Sequence, residues 1–147
     1  MRTAREVAVF VTRRGGQDVL LVHRSPGHGS YWHVVAGGME PGETPEDAAE
    51  RELREETGLV ARLAGGLAVS EYVDVRTEEP ADEERRRDPF VARVDVTCFR
   101  AVAPDAWEPT LDWEHDTHRW CGPGEASDAL RWNGTARALR ALLATGG

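Results

Sequence analysis

The residues best suited to chemistry are three glutamates near the end of one predicted helix, in Arg51-Glu52-Leu53-Arg54-Glu55-Glu56-Thr57-Gly58. At about 100° per residue, Glu52 and Glu56 lie one turn apart on a single face and Glu55 sits beside them, so three carboxylates can converge on one point. Leu53 and Ala49 are left to face a core. As helix design the placement is unfavourable, because acids belong in a first turn, whereas Glu55 and Glu56 crowd the negative end of the macrodipole. Like charges at i,i+4 cost a further ~0.2–0.5 kcal/mol per pair, offset only in part by Arg51 reaching Glu55. A hard divalent cation reverses the sign, and clustered carboxylate oxygens suit Mg²⁺ or Mn²⁺ rather than zinc. Magnesium bound through few carboxylates keeps coordination sites for substrate phosphates. The plain alternative is a solvated acidic helix face, which charge alone does not exclude.

Spacing narrows the choice. Gly37, five residues, Glu43, seven residues, Arg51-Glu52, the aliphatic Leu53, one residue, Glu55-Glu56, one residue, then Gly58 and the aliphatic Leu59 occupy a window over 37–59. This pattern resembles the box of the Nudix hydrolase (MutT-like) family at every fixed position. Strands before the box, Trp32 just ahead of it and an acidic-aromatic segment about sixty residues after it are similar to the family layout, while the charged loop 76–88 has no match. The resemblance implies an α/β fold, an α/β/α sandwich around a mixed β-sheet. It also implies hydrolysis of a nucleoside diphosphate linked to another moiety.

Carried over residue by residue, the resemblance makes Glu52, Glu55 and Glu56 metal ligands, with Gly37 offering its backbone carbonyl. Arg51 and Glu43 become the supporting pair, and Glu52 doubles as general base. In Leu111-Asp112-Trp113-Glu114-His115-Asp116, Glu114 is chosen over Asp112 and Asp116 as a further ligand. Glu114-His115 followed by Trp120, and Trp132-Asn133 near the last helix, resemble the dihydroneopterin triphosphate pyrophosphatase branch. Ala36 stands where many members have proline, a variation that in the family favours triphosphates over ADP-ribose or long dinucleoside polyphosphates. The expected activity is therefore a Mg²⁺- or Mn²⁺-dependent pyrophosphohydrolase of a nucleoside or pterin triphosphate. The alternatives are hydrolysis of nucleotide sugars or dinucleoside polyphosphates, or a non-catalytic nucleotide-binding regulatory module. A homodimer is expected from the family alone.

Residues outside the box add expectations from their own chemistry. The guanidinium fork of Arg24, at a strand end before the box, suits a distal phosphate. Trp32 and Trp132, with Tyr31 and Trp113, offer surfaces on which a purine or pterin can stack. His23, His28 and His33 have no zinc-like spacing with cysteines and are not read as ligands.

Elements able to position these groups are visible in the pattern. Val7 to Thr12 and Val19 to Arg24 read as strands joined by a Gly-Gly turn, and Trp32 to Ala36 as a third strand ending at Gly37-Gly38. Thr44-Pro45-Glu46-Asp47 supplies a hydroxyl N-cap, a proline at the first helical position and an acid at the third, and Gly58 suits a helix C′ position. Leu59 to Val75 and Pro89 to Val102 read as further strands with a bend or bulge at Gly65-Gly66, and Thr117 to Cys121 as a short one. A last helix runs from Asn133 to Leu143, before Gly146-Gly147. Arg76 to Asp88 carries four positive and six negative side chains, which suits a solvated loop or, alternatively, a substrate lid.

The whole chain fits this frame. Its 147 residues suit one domain over 1–147, and 40% hydrophobic with 30% charged residues is a globular balance. All eighteen basic residues are arginine, and a net charge of −8 argues against gripping nucleic acid by its phosphates. No apolar run approaches the roughly 18–20 residues that cross a bilayer, and no signal-peptide core follows Met1, so no membrane partner and a cytoplasmic setting are expected. Cys98 and Cys121 form neither a CxxC pair nor a disulfide framework and read as small buried residues.

Overall fold

Strand β1 (Thr3–Arg13) organises the sheet. In the computed structural model, which describes residues 3–145 apart from the side chains of Thr3, His28 and Thr145, Val7, Val9 and Val11 point to one face and Ala8 and Phe10 to the other. Gly146-Gly147 and the His28 side chain, both read above, lie outside the described residues. A strand apolar on both faces must be covered on both, and it is. The first face packs on α1 (Pro45–Thr57) through Ala48, Ala49 and Leu53. The second packs on α2 (Pro123–Ala129) and α3 (Asn133–Thr145) through Ala126, Ala138 and Leu139. The result is an α/β/α sandwich.

The sheet runs β3-β2-β1-β7-β5-β6, with β2 at Asp18–Arg24, β3 at Trp32–His33, β5 at Leu63–Asp74, β6 at Glu79–Pro80 and β7 at Val91–Val102. Strand β4 (Val35–Gly38) joins β1, and β8 (His115–Cys121) joins β2. Strands β1 and β7 are parallel, Val7 lying opposite Thr97, while β1 pairs antiparallel with β4, Val7 opposite Gly37. The sheet is therefore mixed.

Three expectations are refined. The expected strand Trp32 to Ala36 is two strands, because β3 pairs with β2 and β4 with β1. Helix α2 was not foreseen: seven residues carry too little periodicity, although Pro123 at its first position marks the start. The loop 76–88 is exposed but structured. It holds β6 and a single 3₁₀ turn at Glu83–Arg85, tied by Asp74, which accepts from Arg76 at 2.8 Å and Arg85 at 2.7 Å. The bulge falls where Gly65-Gly66 predicts it, at positive φ of 102° and 97°.

Candidate active site

Helix α1 is fixed at both ends before any site forms. Thr44 Oγ1 accepts from the Asp47 N–H at 3.1 Å and Asp47 accepts in return from the Thr44 N–H at 3.3 Å, a complete capping box. At the other end Gly58, with φ 81°, donates its N–H to the Arg54 carbonyl at 2.8 Å. With Leu53 buried against the sheet, Glu52 and Glu56 are turned toward β4.

Glycine is required on the facing strand. A Cβ at Gly37 would lie 2.3 Å from Cδ and Oε1 of Glu52, so the bare backbone lets the Glu52 carboxylate rest against β4. Arg51 holds this junction. Its guanidinium donates twice to Glu43, at 2.8 and 2.9 Å, and also to Glu52 at 2.9 Å, to Glu55 at 3.3 Å and to the Gly38 carbonyl at 3.0 Å. These charge-assisted bonds, with the Glu40 N–H, hold the Glu43 carboxyl down at about 2.

Glu56 has the opposite environment. Its side chain is 1% exposed, and neither Oε1 nor Oε2 has a hydrogen-bond partner. Burial, then the adjacent Glu52 carboxylate and Asp112, push its pKa well above the usual carboxylate range. Two unpartnered buried oxygens, the neighbouring Glu52 and the Gly37 backbone form a hard-oxygen donor set that fits a divalent cation. Glu55 is 52% exposed and turned to Arg51, whose Nη1 it shares with Glu52 at 3.3 and 2.9 Å. Among the described residues no three acidic, His or Cys side chains form a finished metal cage.

His115 was missed as a site residue. Its Nδ1 meets Asp112 at 2.8 Å, its Nε2 lies 3.6 Å from Glu56 Oε1, and its side chain is 1% exposed. A lone histidine at the start of a short strand gives no such signal in sequence. Only the pairing of β8 with β2 carries it under α1.

Gly37 and Glu52 open onto a cleft of about 810 Å³ across β4, β1, β7 and β5. Ala8, Val94 and Val96 form an apolar floor. Arg24, Glu114 and Trp132 line the cleft, as expected; the Glu114 carbonyl accepts from the Ser25 N–H at 2.9 Å, which ties it to the loop after β2. Trp32 does not reach it: its ring packs 4.9 Å from His23 and 5.0 Å from the Arg119 guanidinium. Trp113, 76% exposed, is also outside the lining.

Three lining residues carried no sequence signal. His33 is buried, its Nδ1 unpartnered, and burial with Arg24, His115 and Arg131 nearby pushes its pKa down to about 3, so the ring is neutral. Arg131 lies 4.7 Å from the Tyr31 ring and 5.7 Å from that of Trp132 and pairs with Glu79. Glu71, on β5, accepts from the Thr135 N–H at 2.8 Å. Burial raises its pKa, and the Thr135 and Gly134 amides oppose the shift.

The family model for the NUDIX domain matches residues 2–142. An octanoyltransferase of Myxococcus xanthus is 31% identical over 138 residues, covering 92% of this chain and 36% of that protein. The nucleoside triphosphatase NudI of an Enterobacter species is 63% identical over 84 residues, covering 52% of this chain and 60% of its own. The chain thus spans less than two thirds of these curated relatives. Among solved structures, the Escherichia coli dihydroneopterin triphosphate pyrophosphohydrolase superposes with a TM-score of 0.74 at 19% identity, over 97% of this chain and 96% of that one.

Proposed function

The chain belongs to the NUDIX family, and from that premise we propose that it is a divalent-metal-dependent pyrophosphohydrolase of a nucleoside or pterin triphosphate. The observation that carries this reading is the pair of unpartnered Glu56 oxygens buried beside Glu52 and Gly37 at one end of a long cleft. Two of the similar proteins, a nucleoside triphosphatase and a pterin triphosphate pyrophosphohydrolase, are named for such activities, whereas the octanoyltransferase is named for another.

Glu52, Glu56 and the Gly37 carbonyl would hold the cation, with Glu55 and Glu114, the latter lining the same cleft, as further carboxylates. When bound, Mg²⁺ or Mn²⁺ neutralises phosphate charge and makes a water more acidic. The protein's own residues supply the rest. Arg24 places its guanidinium against a distal phosphate. Glu52 takes the proton of the attacking water as the new P–O bond forms and the bridging P–O bond breaks toward pyrophosphate. Arg51 and Glu43 keep Glu52 oriented throughout, and Trp132 offers its face to the heterocycle. A cytoplasmic setting agrees with Cys98 and Cys121 as free, buried thiols.

The test is pyrophosphate and phosphate release across deoxynucleoside triphosphates, dihydroneopterin triphosphate, nucleotide sugars and dinucleoside polyphosphates, with Mg²⁺ or Mn²⁺. A triphosphate is expected to be cleaved only with metal, and Glu56→Gln should lower turnover by about 100-fold or more. Cleavage independent of metal, or full activity in Glu56→Gln, would sink the reading.

A further inference from the structure

The cleft is chemically polarised along its length. Gly37 and Glu71 both line it, yet they sit on β4 and β5, three strand spacings apart across β1 and β7, or about 14 Å. That is long enough to set a nucleotide's phosphates and its base at different ends. The α1 end holds Arg24 and the carboxylates suited to a cation. The far end holds Glu71, Glu78 and Glu79, with Arg131 already paired to Glu79, and so it repels phosphate. Trp132 flanks this end with its aromatic face, and Tyr31 lies between the two ends, its ring 4.7 Å from Arg131 and 5.9 Å from Arg24.

Glu71 is the fixed polar group there. It is 8% exposed. Its Oε1 is held by the Thr135 N–H at the start of α3, and a Cβ on Gly134 would lie 2.1 Å from the same oxygen, so Gly134 permits the close approach. The Gly134 amide and the Thr135 hydroxyl also favour the carboxylate, and the residue lines the wall of the cleft. A carboxylate is an acceptor only. A nearly buried, immobilised acceptor rewards an N–H placed against it and is left facing a repelling lone pair when the ligand offers a carbonyl.

We propose that Glu71 is the specificity-determining residue of this cleft, accepting an N–H from an exocyclic amino group on the substrate's heterocycle. This rests on the reading of the cleft as a triphosphate site and names the substrate class: amino-bearing bases are taken and their oxo counterparts are rejected. Glutamine at this position makes the inverse prediction. Its carbonyl can keep the Thr135 N–H, so α3 stays capped, while its NH₂ replaces Oε2 and turns the acceptor into a donor.

The experiment uses three nucleotide pairs that differ by amino against oxo at one ring carbon: CTP and UTP, ATP and ITP, GTP and XTP. For the wild-type protein, kcat/KM is expected to favour the amino member of the best-used pair by about tenfold or more. Glu71→Gln, at an unchanged melting temperature, should bring that ratio to unity or below. The corresponding monophosphates, titrated calorimetrically, should show the same preference without any turnover. If no triphosphate is cleaved, the proposed reaction fails, while the monophosphate titrations still decide the role of Glu71. Equal handling of amino and oxo members in all three pairs, absence of binding by every monophosphate, or a preference that survives Glu71→Gln would overturn the proposal.

Discussion

Arg51 donates to four partners that belong to three separate pieces of chain: the Gly38 carbonyl on β4, Glu43 in the loop, and Glu52 and Glu55 on α1. No lysine can reproduce this, because an ammonium is a point charge without the planar fork. Arg51→Lys is therefore expected to lower kcat/KM by about 10–100-fold and to weaken Mn²⁺ binding in parallel, with little change in melting temperature. Unchanged Mn²⁺ affinity would remove Arg51 from the site. The same clamp sets a pH dependence. Glu43 is held at about 2 in the folded chain against an ordinary 4.5, so its contribution to stability is complete above about 4.5 and drains away as pH falls toward 2. Melting curves between these limits should fall more steeply for the wild type than for Glu43→Gln, which has no proton to gain. At this scale the spacing within 37–59 was enough to single out Glu43, Arg51, Glu52 and Glu56. Glu55, from the same window, is turned to Arg51, whose Nη1 it shares with Glu52.

Elements decide whether those residues meet. Helix α1 was legible to its ends, since capping box, proline and C′ glycine are local signals that need no tertiary partner. Strand β4 was not. The apolar stretch Trp32 to Ala36 reads as one strand because periodicity cannot report that β3 pairs with β2 and β4 with β1. That switch delivers Gly37 to Glu52. Gly37 has no positive φ, so alanine is acceptable to its backbone, and the added Cβ collides with the far end of a flexible side chain. Gly37→Ala should consequently fold and melt within a few degrees of the wild type while displacing the Glu52 carboxylate and losing most metal-dependent turnover. Retained activity would show that Glu52 works from a different position. Stability responds instead at the cap: Thr44→Ala should cost about 1 kcal/mol in chemical denaturation, because it leaves the Asp47 N–H without its acceptor.

At the scale of the whole molecule, the cleft is a product of topology. Glu71, Arg131 and His33 come from β5, the α2–α3 connection and β3, and they share one cavity only because β7 runs parallel to β1 and brings β5 alongside. A β-branched run does not announce a parallel partner, which is why these residues escaped sequence reasoning while Arg24 and Trp132 did not. The charged loop is part of the same assembly. Thr77, Glu78 and Glu79 line the cleft, Glu79 pairs with Arg131, and the loop's base is fastened at Asp74, a buried carboxylate held far below the usual range by Arg76 and Arg85. Asp74 lies on β5 opposite Val91, far along the strand from the bulge and remote from α1. Asp74→Asn removes the charge that gathers both arginines while leaving the α1 carboxylates untouched. Amide exchange across 76–88 should then accelerate by about tenfold or more, with protection in β1 and α1 unchanged, since local opening need not engage the core. On the proposed activity, KM should rise while kcat holds, because the loop contributes wall to the base end of the cleft and nothing to the reacting end. A fall in kcat with unchanged exchange would show that Asp74 acts on the chemistry, and that the loop is not the wall its position in the cleft implies.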